Sequence, residues 1–317
     1  MKRISVLVTS VGGLTGVFVT KHLKSIRKQI KIIGVDMSNT NAARKWIDGF
    51  YQVPPSSDPK YLERIAEIVE DEKIDVIIPV SSYDMNAFTE PEVKSKRLDN
   101  KMLIMDKEMH RTLHNKESCY HFLAGLGICT PEVLVDQIRF PLILKQKEGS
   151  GSKGIKIIET AEDLGYWKKK ISEYLLMEYL EGKEYTVDCL FRDNGTCLGW
   201  NVRERMKMNG GGAVISQNSN LYNQKVSKVI EKLERTGKIR GPVNFQFKEK
   251  SGEICVFDFN TRLASGGLAL TVASGFDIPS LILDLVEGKN VPDWKIDRKN
   301  EELIMIRYYE EVFMDGQ

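Results

Sequence analysis

Short apolar runs separated by glycine-rich or charged breaks fill the first hundred residues. Residues 4–9 (ISVLVT) form a β-type run, and Gly12, Gly13 and Gly16 follow it. A helical segment covers Val17 to Arg27, and residues 30–36 (IKIIGVD) make a second run that ends on an acid. That order predicts a βαβ unit. Residues 60–72 place Leu62, Ile65, Ala66, Ile68 and Val69 at helical spacing. Residues 75–80 (DVIIPV) suit a strand buried on both faces. An open parallel α/β domain is expected here.

The texture changes after about residue 105. Residues 140–146 (FPLILKQ) and 154–160 (GIKIIET) flank a glycine–serine loop and read as an antiparallel pair. Further strand-like runs follow, with a hairpin pattern turning at Ser251-Gly252. An apolar helix over residues 278–288 is closed by Gly288. Grouped rather than alternating elements predict an α+β second half.

Composition narrows the picture only modestly. Across 317 residues, 46 Lys+Arg nearly cancel 44 Asp+Glu, for a formal charge of +2. That balance offers no electrostatic footprint for nucleic acid. No apolar stretch has the length of a membrane span, and the N-terminal run, stopping at Ser10, is too short for a signal peptide. Five cysteines, odd in number and without a CxxC pair, argue against a zinc site or a disulfide framework. Free thiols and a cytoplasmic protein are the expectation.

Two glycine-rich loops carry different chemistry. The first, Gly12-Gly13-Leu14-Thr15-Gly16, is one residue short of the dinucleotide fingerprint, although Asp36 stands where a ribose-binding acid would. It reads either as a tight βα turn beside a substrate crevice or as an NAD loop. The second, Gly149-Ser150-Gly151-Ser152-Lys153-Gly154, lies between strands, so it is not a Walker loop. Its small residues leave backbone N–H groups open to an anion, and Lys153 adds charge. Lys145, in an apolar strand, needs a phosphate or a carboxylate if buried.

The last strand pair concentrates oxygen donors. Alternation puts Asp258, Asn260 and Arg262 on one strand face, with Phe257, Phe259 and Thr261 opposite. Asn244, Gln246 and Lys248 share a face of the preceding strand, and the hairpin can bring Gln246 opposite Asp258. Carboxylate and amide oxygens suit hard Mg²⁺, and Arg262 beside them can neutralise a moving phosphoryl group. The alternative is a solvated sheet face.

These segments together resemble the ATP-grasp superfamily, closest in pattern to the ATP-binding halves of carbamoyl-phosphate synthetase large chains. The matching residues are Gly241-Pro-Val-Asn-Phe-Gln246, Val256-Phe-Asp258-Phe-Asn260-Thr-Arg262 and Ala273-Ser-Gly-Phe-Asp-Ile-Pro279. Phe140 to Lys145, the Gly149–Gly154 loop and Glu178-Tyr-Leu-Glu-Gly-Lys-Glu184 precede them in the expected order. The resemblance implies a pre-ATP-grasp α/β domain over residues 1–105, a small lid subdomain over 106–180, and a large subdomain over 181–317 with the Mg²⁺ and substrate site.

It also implies roles. Lys116 and Lys145 would contact ATP phosphates beneath the 149–154 lid. Glu178 with the backbone of Tyr179 and Leu180 would read adenine, and Glu184 would hold ribose. Gln246, Asp258 and Asn260 would bind two Mg²⁺ ions. Arg262, with Lys153 and Arg205, would serve the acyl-phosphate transition state, and Arg203 would either join that pocket or stand as a surface charge. Asp258 replaces the family's usual glutamate, and residues 206–212 lack the histidine found near there in carbamoyl-phosphate synthetases. One ATP-grasp unit is present, without a biotin-carrier or glutaminase motif.

The expectation is an ATP-dependent carboxylate–amine ligase that works through an acyl phosphate on small-molecule substrates; a homodimer is suggested by the family resemblance alone. The alternatives are phosphorylation of carbamate or another carboxylate without ligation, and a nucleotide-binding module without turnover. His110 and His114 share a helical face and read as solvated surface.

Overall fold

The computed structural model describes residues 3–148, 154–209, 212–296, 300 and 302–314. Strands β1 (Ile4–Val8), β2 (Ile30–Asp36), β3 (Gly49–Gln52) and β4 (Val76–Ile78) form a parallel sheet in the order β3-β2-β1-β4. Crossover helices α1 (Leu14–Ile26) and α2 (Tyr61–Asp71) make parallel pairing possible. The expected βαβ unit is there. Its glycines have structural reasons: a Cβ on Gly16 would stand 2.5 Å from the Val11 carbonyl oxygen, so α1 packs on the β1 turn only without one. Asp36 accepts from the amides of Gly12 and Ser38, both at 2.9 Å. The turn's own backbone therefore takes the acid that an NAD loop would need for ribose.

Helices α3 (Ser82–Phe88) and α4 (Glu92–Ser95) close the N-terminal unit. Two capped helices, α5 (Lys107–His114) and α6 (Lys116–Gly125), then lead onward. Asp106 accepts from the Met109 amide at the start of α5, and Asn115 accepts from Glu117 and Ser118 at the start of α6.

Strands β5 (Leu142–Gln146), β6 (Lys156–Ile158) and β7 (Tyr174–Glu178), with α7 (Ala161–Lys168) between the last two, form an antiparallel sheet in the order β6-β5-β7. Leu142 and Leu144 pack with Ile158, Leu164 and Leu176 on one side of it. That alternation turns Ile143 and Lys145 to the other side.

The third sheet is larger. Strands β8 (Tyr185–Phe191), β9 (Cys197–Asn209) and β10 (Gly212–Asn218) precede α8 (Asn223–Glu234). Strands β11 (Gly241–Lys250) and β12 (Glu253–Asn260) follow it, then α9 (Leu268–Ala273), α10 (Ile278–Val286) and β13 (Ile304–Ile306). The sheet runs β12-β11-β8-β9-β10-β13, antiparallel throughout. Its core holds Val187, Phe191, Val226, Leu233, Phe245 and Phe247. The β11–β12 hairpin turns at Ser251 and Gly252, both at positive φ (50° and 81°), as a two-residue hairpin turn requires.

One register detail departs from simple alternation. Gln246 pairs with Asp258, but the next pair is Phe247 with Val256, so Phe257 is left without a partner in the ladder. Val256 and Phe259 consequently both reach the core, while Phe257 packs beside Tyr120, Leu175 and Met177. The expected shared face for Phe257 and Phe259 fails because the bulge reverses the alternation between them.

Candidate active site

A cavity of about 320 Å³ separates the three-stranded sheet from the six-stranded one. It collects Lys116, Lys145, Glu178, Tyr179, Leu180, Glu184, Arg205, Gln246, Asp258, Asn260 and Arg262 from six elements and the loops beside them. All eleven are residues that the sequence singles out. Gly154 is described and has a φ of +75°. Gly149, Ser150, Gly151, Ser152 and Lys153 lie outside the described residues.

The bulge organises the Lys145 end of this cavity. Freed from the ladder, the Phe257 carbonyl accepts from Lys145 Nζ at 2.8 Å and from the Tyr120 hydroxyl at 2.7 Å. Lys145 is 3% exposed, and its ammonium stands 5.2 Å from the Tyr120 ring centroid. Burial pushes its pKa down to about 8; Lys116 adds to the shift and Asp258 opposes it. An anion in the cavity would return the proton.

Oxygen donors face Lys145 across the hairpin. The Asn260 amide nitrogen donates to Asp258 Oδ2 at 2.8 Å and to Asn244 Oδ1 at 3.3 Å. Among the described residues its amide oxygen has no protein donor, which leaves it for a cation or water. Arg262 donates through Nε to Ser82 Oγ at 2.7 Å and through Nη1 to the Leu263 carbonyl at 2.8 Å. Burial lowers its pKa, with Asp258 opposing. Among the described residues, no three His, Cys, Asp or Glu side chains gather at one point. The hairpin therefore offers one carboxylate and two amide oxygens, a set that fits a hard cation retaining waters and phosphate oxygens.

The other end of the cavity is mixed. Ile143, Ile155, Ile157, Met177, Met208 and Phe257 supply apolar walls, and strand alternation beside Lys145 could have pointed to Ile143. Glu178 Oε1 accepts from the Glu132 amide at 2.9 Å and from Lys250 Nζ. Lys248 Nζ donates to the Leu180 carbonyl at 2.8 Å and stands 5.5 Å from the Tyr179 ring centroid. Arg205 forms an ion pair with Glu184. Burial lowers its pKa, with Glu184 opposing.

Two readings need correction. Arg203 belongs neither to the cavity nor to the surface: it is 3% exposed and paired with Asp188 at 2.9 Å. Asp188 also accepts from the Thr271 hydroxyl. His110 is not solvated either, being 1% exposed among α3, α5 and the end of β12.

Comparison with known proteins agrees with this fold. A family model described as ATP-grasp in the biosynthetic pathway with Ter operon matches residues 170–312, and a PylC-like N-terminal domain model matches residues 6–103. The chain carries an ATP-grasp domain. A carbamoyl-phosphate synthase from Methanobrevibacter smithii is 19% identical over 255 residues, covering 73% of this chain and 69% of that one. Against the large chain from a Thermoanaerobacter species, identity is 23% over 171 residues, half of this chain and only 16% of the relative. The biotin carboxylase domain of Hydrogenobacter thermophilus 2-oxoglutarate carboxylase, solved with MgADP and bicarbonate, superposes with a TM-score of 0.74 at 16% identity. The match covers 96% of this chain and 74% of that one. Staphylococcus aureus N5-carboxyaminoimidazole synthetase, solved with ADP, gives a TM-score of 0.71 at 17% identity over 92% and 80% of the two chains. The architecture is that of ATP-grasp ligases, a parallel-sheet domain followed by two antiparallel sheets.

Proposed function

We propose that this ATP-grasp chain is an ATP-dependent carboxylate–amine ligase that releases ADP and phosphate. The observation that carries the reading is one cavity uniting Lys145, the Asp258–Asn260 oxygen cluster and Arg262 between two sheets. Transfer of a phosphoryl group needs positioning and charge neutralisation rather than a protein nucleophile, and these side chains supply both. Lys116 and Lys145 hold phosphates, and Tyr179, Leu180 and the apolar wall take the base. Glu184 holds the ribose. Gln246, Asp258 and Asn260 would hold Mg²⁺, which would offset the charge of the phosphates. Arg262 then faces the carboxylate as it becomes an acyl phosphate, with Arg205 completing the positive lining. An incoming amine displaces phosphate to form the amide.

In the proposed division into units near residues 105 and 180, α3 of the N-terminal unit stands beside the substrate end, where Ser82 Oγ accepts from Arg262. A cytoplasmic homodimer completes the reading: the five cysteines are free, and the Hydrogenobacter domain is described as a dimer. No helix among the described residues is long and apolar enough to cross a membrane.

The test is ADP release from MgATP across paired pools of amino acids, small carboxylates and amines. Release that requires one carboxylate and one amine, with an amide product, supports ligation. Release with a carboxylate alone selects phosphorylation without ligation. The shorter side chain of Asp258 favours a second reading, a nucleotide-binding module without turnover. Binding of MgATP with no ADP from any pool selects that one.

A further inference from the structure

The ladder that fixes β12 ends at the Asn244–Asn260 pair. Thr261 and Arg262 continue beyond it, so strand pairing does not set their positions. Three side-chain contacts do. Asn244 Nδ2 donates to the Arg262 carbonyl at 2.8 Å, Ser82 Oγ receives Arg262 Nε at 2.7 Å, and Thr261 Oγ1 lies 2.7 Å from His110 Nδ1. His110 has a second partner, Asn86 Oδ1, 2.8 Å from Nε2. With an amide oxygen there, the ring proton sits on Nε2, and Nδ1 accepts from the threonine hydroxyl. Ser82 and Asn86 both belong to α3 of the N-terminal unit.

We propose that His110 is a positioning residue that, together with Ser82, ties the free end of β12 to α3 and so sets where Arg262 stands against the phosphoryl acceptor. Thr261 is the immediate neighbour of both Asn260 and Arg262, so its anchor constrains the oxygen cluster and the guanidinium together. The ring is buried, 5.5 Å from the His114 ring centroid and stacked on it, so it has one orientation in which to bridge. An ion pair between Lys107 and Glu90 also links α5 to the segment after α3. That pair is a third exposed and contributes little, which leaves the buried imidazole as the stiff link. A phosphoryl acceptor held near α3 would then report its presence to Arg262 through two contacts rather than one.

The inference rests on the ligase reading, and its test separates the two. In His110→Ala, kcat for ADP formation should fall about 10- to 100-fold, as small misplacements of catalytic groups do, with KM for ATP within about twofold. His110→Gln offers an oxygen and an N–H₂ spaced much like the two ring nitrogens, and should recover most of the loss. Thr261→Val, which keeps the shape and removes the hydroxyl, should repeat the His110→Ala defect. Equal loss in His110→Ala and His110→Gln that simply follows thermal stability would overturn the proposal, as would unchanged kcat in folded His110→Ala or Thr261→Val.

If wild-type protein forms no ADP from any substrate pool, the ligase reading fails, and hydrogen exchange decides the inference. His110→Ala should then raise exchange together in residues 82–88 and 260–263 while β1 and β2 stay protected. Unchanged exchange in either segment overturns the link.

Discussion

Lys145 Nζ donates to the main-chain oxygen of Phe257 at 2.8 Å. The carbonyl is available because the β11–β12 ladder slips by one residue there. A neutral dipole stabilises an ammonium less than water does, and burial holds the Lys145 pKa at about 8. Triphosphate oxygens in the cavity would raise it again. The sign is fixed: a group whose pKa rises on binding takes up protons between the two values. MgATP binding at pH 8 should therefore absorb up to about half a proton per site. Calorimetry in buffers of different ionisation enthalpy measures this, and Lys145→Met should abolish both the uptake and most of the affinity.

The Asp258–Asn260 pair makes a second expectation concrete. Removing one electrostatic group at a phosphoryl-transfer site costs on the order of 10²-fold. Asn260→Ala and Asp258→Ala should each lower ADP formation by at least that much and shift the Mg²⁺ dependence to higher concentration. Asp258→Glu restores the length usual in the resembled family and should keep the activity. Turnover unchanged in both alanine variants would remove the hairpin from the site.

The same hairpin shows what local sequence can and cannot convey. The Ser251-Gly252 turn and the two-residue period were enough to anticipate Gln246 opposite Asp258. The bulge was not legible, because two-residue alternation reads Phe257 and Phe259 as equivalent and only packing separates them. Of the eleven cavity residues, Lys145, Gln246, Asp258, Asn260 and Arg262 were visible from strand alternation, while Lys116, Glu178, Tyr179, Leu180, Glu184 and Arg205 were reached only through the resemblance to ATP-grasp enzymes. His110 was not, since Asn86 and Thr261 lie 24 and 151 residues away. Arg203 was ambiguous for a similar reason: strand alternation gives its face, but nothing in Asn-Val-Arg-Glu-Arg says that Asp188 waits on the neighbouring β8.

His110 also carries a pH signature. Burial, with His114 and Arg111 adding to it, pushes its pKa down from 6.5 to about 4. The folded state thus prefers the neutral ring, while the unfolded chain protonates it below pH 6.5. Folding stability should fall as pH drops from about 6.5 to 4, by about 3 kcal/mol from this group. Above pH 7 the ring is neutral in both states and the effect vanishes. Urea unfolding of wild type and His110→Gln at pH 7 and pH 5 checks it. The gap between the two proteins should narrow or reverse at the lower pH.

The buried Arg203–Asp188 pair supports the last prediction. Both side chains are almost fully enclosed, and Asp188 also receives the Thr271 hydroxyl, so one carboxylate satisfies a guanidinium and an alcohol. Asp188→Ala would strand the guanidinium beside Gly267, where a Cβ would stand only 2.0 Å from Arg203 Cζ and the chain has no room to turn it outward. Breaking such a pair from one side costs about 3–5 kcal/mol. Replacing both partners with apolar residues, as in Arg203→Met with Asp188→Leu, removes the stranded charge and should recover much of that loss. Denaturant midpoints at constant m-value distinguish the cases. A double variant no more stable than Asp188→Ala alone would mean that the pair belongs to one network running through Thr271, to whose hydroxyl Asn201 Nδ2 donates at 3.2 Å, rather than standing as an ion pair.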